Sequence, residues 1–147
     1  MVDKTAEYRE QISNVSVVYN IYRIVLPLVL LVTYITSPET SLLGVLEPTL
    51  FVQVNTAYAI YAVVVTFITP SARRVLQNQS VITGMQLLDI LVITLLIYTS
   101  GGVDSGLGLF MIVTIASSSI IIRSRISTFL AAVAALALIY TEFYLAL

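Results

Sequence analysis

The sequence has no histidine and no cysteine among its 147 residues. Without histidine, the chain lacks an imidazole base, an imidazole metal ligand and a histidine that accepts a phosphoryl group. Without cysteine, it forms no disulfide and no thiolate metal site. We therefore expect no catalytic residue, no metal site and no cofactor within this chain.

Charged residues are scarce as well. They make up 10% of the chain, whereas a typical soluble domain has about 25%. Hydrophobic residues make up 59%, and the mean hydropathy is +1.00. Because the bilayer core offers no water to unpaired backbone groups, apolar runs of about 20 residues cross it as helices. The composition predicts a polytopic membrane protein with an all-α fold, a single transmembrane helical bundle over residues 1–147.

Breaks rich in proline, glycine and charge divide the chain into apolar runs. We predict five helices, at about residues 14–36, 49–69, 81–99, 105–122 and 126–147. Pro27 is expected to kink the first of them. Residues 1–13 have mixed charge, and the apolar run after them lacks a small-residue cleavage site, which favours a polar or interfacial lead-in over a signal peptide.

The charges segregate by loop. If the N-terminus is cytoplasmic, the basic residues all lie at the inner face, namely Lys4, Arg9, Arg23, Arg73, Arg74, Arg123 and Arg125. The outer loops and the end of the chain then carry only acids, namely Glu39, Glu47, Asp104 and Glu142. The positive-inside bias predicts this orientation and is violated at every loop by the reverse one. Since five crossings leave Leu147 outside, we expect a fragment whose sixth helix follows, and a complete five-helix protein stays open as the alternative.

Asp89 is the acid that lies deep inside an apolar run. It is about 12 Å from the inner end of the third helix, and Arg23 has a matching depth in the first. An acid near the membrane centre costs about 2.5–3.5 kcal/mol on insertion scales, so it normally faces the protein interior and has a partner. We predict that Asp89 pairs with Arg23, directly or through Tyr22, Asn20 or water. The pair is interpreted either as a structural clamp or as a polar switch.

The turn between the third and fourth helices is rich in glycine. Its candidate sensing or packing residues are Gly101, Gly102, Asp104, Ser105 and Gly106. No lysine follows them, which excludes a phosphate-binding loop. Glycines here favour tight backbone geometry and close helix approach. A recognition role for this outer tip stays open.

Small residues gather on the last two helices. Gly108, Ser117, Ala131 and Ala135 are typical of close helix packing, and Ala131 and Ala135 have the small-xxx-small spacing. We interpret this face as packing within the chain, with a homodimer face or a groove for a partner's membrane helix as the alternative.

The tyrosines are predicted to serve two purposes. Tyr58 and Tyr61, in the middle of the second helix, are expected to point into the bundle, where their hydroxyls need partners. Tyr19 and Tyr22 are expected to lie in the aromatic belt at the inner boundary.

Several of these segments together resemble one known family. They are Tyr22-Arg23, Leu88-Asp89-Ile90, the glycine-serine-glycine hairpin from Tyr98 to Leu109, Arg123-Ser124-Arg125 and the alanine-rich run from Leu130 to Leu138. This pattern resembles the membrane region of PilS-type sensor histidine kinases. The likeness covers most of the third to fifth helices and part of the first.

The resemblance implies a six-helix sensor domain that precedes cytoplasmic kinase domains in the bacterial inner membrane. It implies a two-component system in which the sensor detects pilin in that membrane and controls pilin transcription through a response regulator. The implied partners are membrane lipid, a second copy in a homodimer and the transmembrane helix of a pilin, with no nucleic acid. The response regulator is reached only through a kinase domain that lies outside these residues, so we expect no enzymatic activity in this chain.

Two other functions stay open at the level of the sequence. Asp89 could titrate in a small proton- or cation-coupled membrane carrier, because carriers place buried acids in membrane helices. The bundle could also be a purely structural anchor that locates an attached enzyme.

Overall fold

The computed structural model describes residues 4–36, 42–69, 71, 78–122 and 124–147, and the side chains of these residues other than 4–16 and 124. Its elements are α1 (Lys4–Thr36), α2 (Pro48–Ile68), α3 (Gln79–Thr99), a 3₁₀ turn (Val103–Ser105), α4 (Gly108–Ile121) and α5 (Ser124–Ala146). In the described residues all regular structure is helical, which confirms the predicted all-α bundle. Four helices contain apolar stretches of 20 to 22 residues, long enough to cross a membrane.

Two helices differ from the predicted bounds by three residues or more, and the other three agree with them to within two residues. α1 begins at Lys4, so the charged lead-in continues into the apolar stretch Val17–Thr36 as one helix. α4 has only 14 residues and begins at Gly108, after the 3₁₀ turn and a left-handed Gly106 with φ of +78°. Because the turn occupies the first residues of the predicted helix, α4 rises only about 20 Å of a hydrocarbon core of about 30 Å.

Local sequence explains where two of the helices begin. Pro48 occupies the first turn of α2, where its missing N–H leaves no hydrogen bond unmade. The Asn78 side chain caps α3 by accepting a hydrogen bond from the Ser80 N–H at 3.2 Å.

The helices pack around α3, which contacts α2, α4 and α5, while α1 contacts α2 and α4. The core consists mainly of aliphatic side chains from all five helices, with Phe51 and Tyr58 from α2 fully enclosed. Large apolar side chains also cover the outside, including Ile35, Phe67 and Leu109, which are 72%, 79% and 68% exposed. An outer surface this apolar fits a lipid environment.

The loop before α2 is fastened to the end of α3. Leu46 and Glu47 both donate backbone N–H groups to the Thr99 carbonyl, at 3.0 and 3.2 Å. The Gly44 N–H donates to Ser100 Oγ at 3.0 Å. Residues 42–47 and the start of the glycine-rich turn therefore form one end of the bundle, which is the predicted outer end.

Candidate functional site

Asp89 lies on the buried face of α3 and is completely enclosed. The same face carries Gln86, Ile93, Leu96 and Ile97, all 2% exposed or less. Their spacing of three and four residues is that of a single helix stripe. Because of this stripe, the carboxylate faces α1 and α2 in the bundle interior and is kept away from lipid, as expected for an acid in a membrane helix.

Three donors from two other helices reach this carboxylate. Arg23 Nη2 lies 2.5 Å from Oδ2 and forms an ion pair with it. The Tyr19 hydroxyl donates to the same oxygen at 2.6 Å, and the Tyr58 hydroxyl donates to Oδ1 at 3.2 Å. The contacts join α1, α2 and α3 at one point. We call Arg23, Asp89, Tyr19 and Tyr58 the buried polar centre.

The arginine of this centre is enclosed by aromatic rings. Arg23 is 3% exposed, and its Cζ lies 4.9 Å from the ring centroid of Tyr19 and 5.7 Å from that of Tyr61. Cations are attracted to the faces of tyrosine rings within about 6 Å. Tyr19 therefore contributes twice, with its ring beside the guanidinium and its hydroxyl bonded to the carboxylate.

Further polar groups extend the centre along α2 and α3. Gln86, one turn before Asp89, lies 3.1 Å from the Tyr19 hydroxyl oxygen. Asn55, one turn before Tyr58, donates its side-chain N–H to the Pro27 carbonyl at 2.9 Å. This second contact joins α1 and α2 beside the proline of α1. Polar groups enclosed in an apolar bundle are costly unless they are paired, so these contacts constrain how the helices pack.

The structure brings together the two residues that the sequence paired by depth, Arg23 and Asp89, and it does so directly. Because Arg23 Nη2 contacts Asp89 Oδ2 itself, neither Tyr22 nor Asn20 mediates the pair in the described residues. The Tyr22 hydroxyl donates to the Phe110 carbonyl at 3.0 Å and joins α1 to α4. Whether the pair is a clamp or a switch stays a prediction.

Sequence reasoning missed two members of the buried polar centre. The sequence predicts Tyr19 in the aromatic belt, but its side chain is 5% exposed and its hydroxyl donates a hydrogen bond to Asp89. Tyr58 was expected inside the bundle, as observed, but without a named partner. The spacing of Tyr19 and Arg23, four residues apart on one helix, is the sequence feature that places both on the same face.

The glycine-rich turn lies away from the buried polar centre, at the C-terminal end of α3, which is the predicted outer end. Gly101, Gly102 and Gly106 all have positive φ, between +78° and +96°. Ser105 Oγ donates to the Gly102 carbonyl at 2.7 Å, and Asp104 is exposed. A partner of this turn that the sequence did not suggest is Glu142, whose carboxylate accepts the Val103 N–H.

The small residues of α4 and α5 are divided between core and surface. Gly108, Ser117 and Ala131 are half-buried, and Ala135 is exposed. The enclosed small residues are instead their neighbours Ser118 and Ala134, which are 1% and 0% exposed. The packing stripe is therefore shifted by one residue from the predicted one at Ser117 and Ala135, because the helix rotation follows Met111 and Leu130 into the core.

Comparison with known proteins agrees with the resemblance seen in the sequence. The family model described as the PilS-like transmembrane domain matches residues 5–147. The sensor protein kinase PilS of Pseudomonas aeruginosa is 33% identical over 138 residues, which cover 94% of this chain and 25% of that protein. The chain thus spans a quarter of the length of this relative. No solved structure matches the chain. The predicted family is confirmed, and the chain belongs to the PilS-like transmembrane domains.

Proposed function

We propose that this chain is the membrane sensor module of a sensor kinase, and that its ligand is the transmembrane helix of a pilin. The observation that carries the proposal is the buried polar centre, in a chain that matches the membrane domain of a sensor protein kinase. A sensor needs two packings of similar energy that a ligand can bias. The buried polar centre joins three helices through charged and hydroxyl groups, so its hydrogen bonds can differ between two such packings.

The centre supports this role through the way it couples the helices. Asp89 on α3 is bonded both to α1, through Arg23 and Tyr19, and to α2, through Tyr58. A movement of α1 against α3 must therefore break or exchange hydrogen bonds in an apolar medium. Each polar group left unpaired during such a movement costs free energy. The helices therefore occupy discrete arrangements with complete hydrogen bonding rather than a continuum of positions.

The surface available to a pilin helix is apolar. α4 and α5 expose Leu109, Ile112, Leu136 and Ile139, each more than 60% accessible. The half-buried Gly108 and Ala131 and the exposed Ala135 allow a second helix to approach closely. A homodimer would use the same kind of surface and remains a prediction.

We further propose that the bundle lies in the bacterial inner membrane with its N-terminus in the cytoplasm. The basic residues support this orientation through the positive-inside bias. Arg73, Arg74 and Arg123, which carry much of that argument, lie outside the described residues, as does Glu39. The acids Glu47, Asp104 and Glu142 belong to the opposite end of the bundle.

The carrier hypothesis has less support. A carrier acid exchanges its ion with a pathway, whereas both oxygens of Asp89 already accept hydrogen bonds from protein donors. If the chain is nevertheless a carrier, membrane vesicles will show pH-driven cation uptake that Asp89→Asn abolishes.

The test of the sensor proposal uses the full-length protein in bacterial membranes. A photo-crosslinking amino acid is placed at Ile112 on the exposed face, and a second protein carries it at Ile60 on the exposed face of α2. We expect a pilin to crosslink at Ile112 and more weakly at Ile60. A pilin-promoter reporter should respond to the pilin level, and Asp89→Asn should reduce that response while leaving the crosslink in place.

Glu47→Gln is the matched control, because it makes the same change from carboxylate to amide at an exposed acid outside the buried polar centre and the glycine-rich turn. We expect this variant to leave the response of the reporter to the pilin level unchanged. Equal crosslinking at the two positions, together with a reporter that ignores the pilin level, would refute pilin sensing. A reporter that still responds normally in Asp89→Asn would remove the buried polar centre from the mechanism.

A further inference from the structure

One carboxylate fastens the glycine-rich turn to the last helix. Glu142, near the end of α5, accepts a hydrogen bond from the Val103 N–H at 2.6 Å. Val103 is the first residue of the 3₁₀ turn, where backbone N–H groups have no partner within the helix. Hydrogen bonds from such groups to an ionised carboxylate are among the stronger ones in proteins. The contact is 39 residues apart in the chain, so it is a tertiary contact rather than a local cap.

The backbone of the turn is shaped to receive this carboxylate. Gly102 has φ of +96°, and a Cβ added to it would lie 2.5 Å from Glu142 Oε1 and 3.2 Å from Leu145 Cδ1. α5 therefore packs directly against the backbone at Gly102. Gly101 has a similar φ of +86°, but an added Cβ there meets no described atom within 4 Å. Both glycines have a backbone conformation that favours glycine, but only at Gly102 would a side chain also collide with α5.

The same contact borders an apolar groove. The groove has a volume of about 340 Å³ and is lined by Val103, Gly106, Gly108, Leu109, Ile112 and Leu138. Val103 belongs both to this lining and to the hydrogen bond, and Leu138 precedes Glu142 by one helical turn. The groove therefore lies between the turn, α4 and α5, next to the hydrogen bond.

We infer that Glu142 is a latch that couples the outer turn to α5. While the carboxylate holds the Val103 N–H, the turn and the outer end of α5 move together and the groove stays narrow. When the bond is released, the turn separates from α5 and the groove widens. The existence of this contact does not depend on the proposed function. Its role in transmitting a signal from the outer face to α5 rests on that function.

The latch is tested by a distance measurement in the full-length protein, reconstituted in lipid bilayers. Spin labels are attached to cysteines that replace Asp104 and Phe143, two exposed residues on either side of the contact. These 147 residues contain no other cysteine that could take up the label, and any cysteine in the rest of the protein is replaced by serine. We expect a narrow distance distribution with Glu142 present. Glu142→Ala should shift the mean to longer distance and broaden it, and Glu142→Gln should lie between, since an amide oxygen still accepts but carries no charge.

The two glycines give a matched pair of controls. Gly102→Ala should lengthen the distance as Glu142→Ala does, because its Cβ occupies the place of the carboxylate. Gly101→Ala has the same backbone strain in open space and should keep the original distance. If Glu142→Ala does not accumulate in membranes, Glu142→Gln and Gly102→Ala decide the question. If the variants that can be measured keep the distance of the unsubstituted protein, the latch is refuted.

A second readout separates the latch from the proposed function. If the Glu142 variants lengthen the distance and also change the pilin-dependent reporter, both inferences are supported. If they lengthen the distance while the reporter never depends on pilin in any variant, the latch stands and the proposed function fails.

Discussion

At the scale of single residues, the bundle depends on an ion pair that is enclosed on all sides. Arg23 and Asp89 have side chains that are 4% and 0% exposed. Removing two charges from water is costly, and their attraction offsets that cost only if the remaining polar atoms also have partners. Tyr19 and Tyr58 provide such partners for the carboxylate. Arg23 Nε has no hydrogen-bond partner in the described residues, so we expect the pair to fix one arrangement of the helices more than it adds net stability.

This view predicts a marked asymmetry between single and double substitutions. Asp89→Leu leaves a buried guanidinium without its partner and should lower the free energy of unfolding by about 3–5 kcal/mol. Arg23→Leu should have an effect of similar size. The double variant removes both charges, so its unfolding free energy should recover most of the loss. Unfolding in mixed detergent and lipid, followed by circular dichroism, measures all three.

The matched control for this series is Asp104→Leu, which removes an exposed acid and should change stability by less than about 0.5 kcal/mol. If the two single losses simply add in the double variant, Arg23 and Asp89 do not interact, and the coupling assigned to them is wrong.

The ion pair could be predicted from the sequence because hydropathy fixes the depth of each charge, and only one acid lies deep in an apolar run. The hydroxyl partners could not. Tyr19 is equally compatible with an aromatic belt, since depth alone does not tell which side of α1 meets α3. That information comes from the rotation of α1 about its axis, which the packing of Leu26 and Leu30 determines.

At the scale of whole elements, α1 and α2 are joined where α1 contains a proline. Pro27 has no N–H to return to the preceding turn, and such prolines weaken or kink a helix. Asn55 is completely enclosed and donates to the Pro27 carbonyl at 2.9 Å. The missing Pro27 N–H leaves the carbonyl of Arg23, one turn earlier, without its helical donor. Asn55 bonds the carbonyl of Pro27 itself and so braces α1 from outside, one turn beyond the interrupted bond.

Loss of this brace should be detectable as a local effect. Asn55→Leu should lower stability by about 0.6 kcal/mol, and by no more than about 1.7 kcal/mol, the range found for hydrogen bonds between membrane helices. Amide hydrogen exchange should rise in α1 around residues 24–30 and much less in α3. Gln53→Leu, at an exposed position of the same helix, is the control. Unchanged exchange in α1 would show that Asn55 does not brace the proline.

The length of α4 shows why element bounds are harder to predict than element types. Residues 105–122 are apolar enough to be assigned to one helix, and hydropathy has no means of detecting the left-handed glycine at Gly106. The helix that follows is short, because the glycine-rich turn occupies the residues before Gly108. α5 has the full length, so that Glu142 reaches back to Val103 beside the turn.

At the scale of the molecule, the distribution of charge places the two ends of the bundle on opposite sides of the membrane. Glu47, Asp104 and Glu142 are exposed at the end that contains the glycine-rich turn. Arg125 is exposed at the start of α5, at the other end. Basic residues remain on the cytoplasmic side, so the turn should face the periplasm.

Labelling of single cysteines tests this orientation on a chain that has none of its own. Ser80→Cys lies at the start of α3 and Asp104→Cys in the turn, and both positions are exposed. A maleimide that does not cross membranes should label Asp104→Cys in intact spheroplasts, and Ser80→Cys only after the membrane is opened. Leu136→Cys is exposed but lies within a membrane-spanning stretch, so it should resist labelling in both conditions, because the reaction needs water. Labelling of Ser80→Cys in intact spheroplasts would show that the orientation is the reverse of the proposed one. The latch and the glycine-rich turn would then lie on the cytoplasmic side.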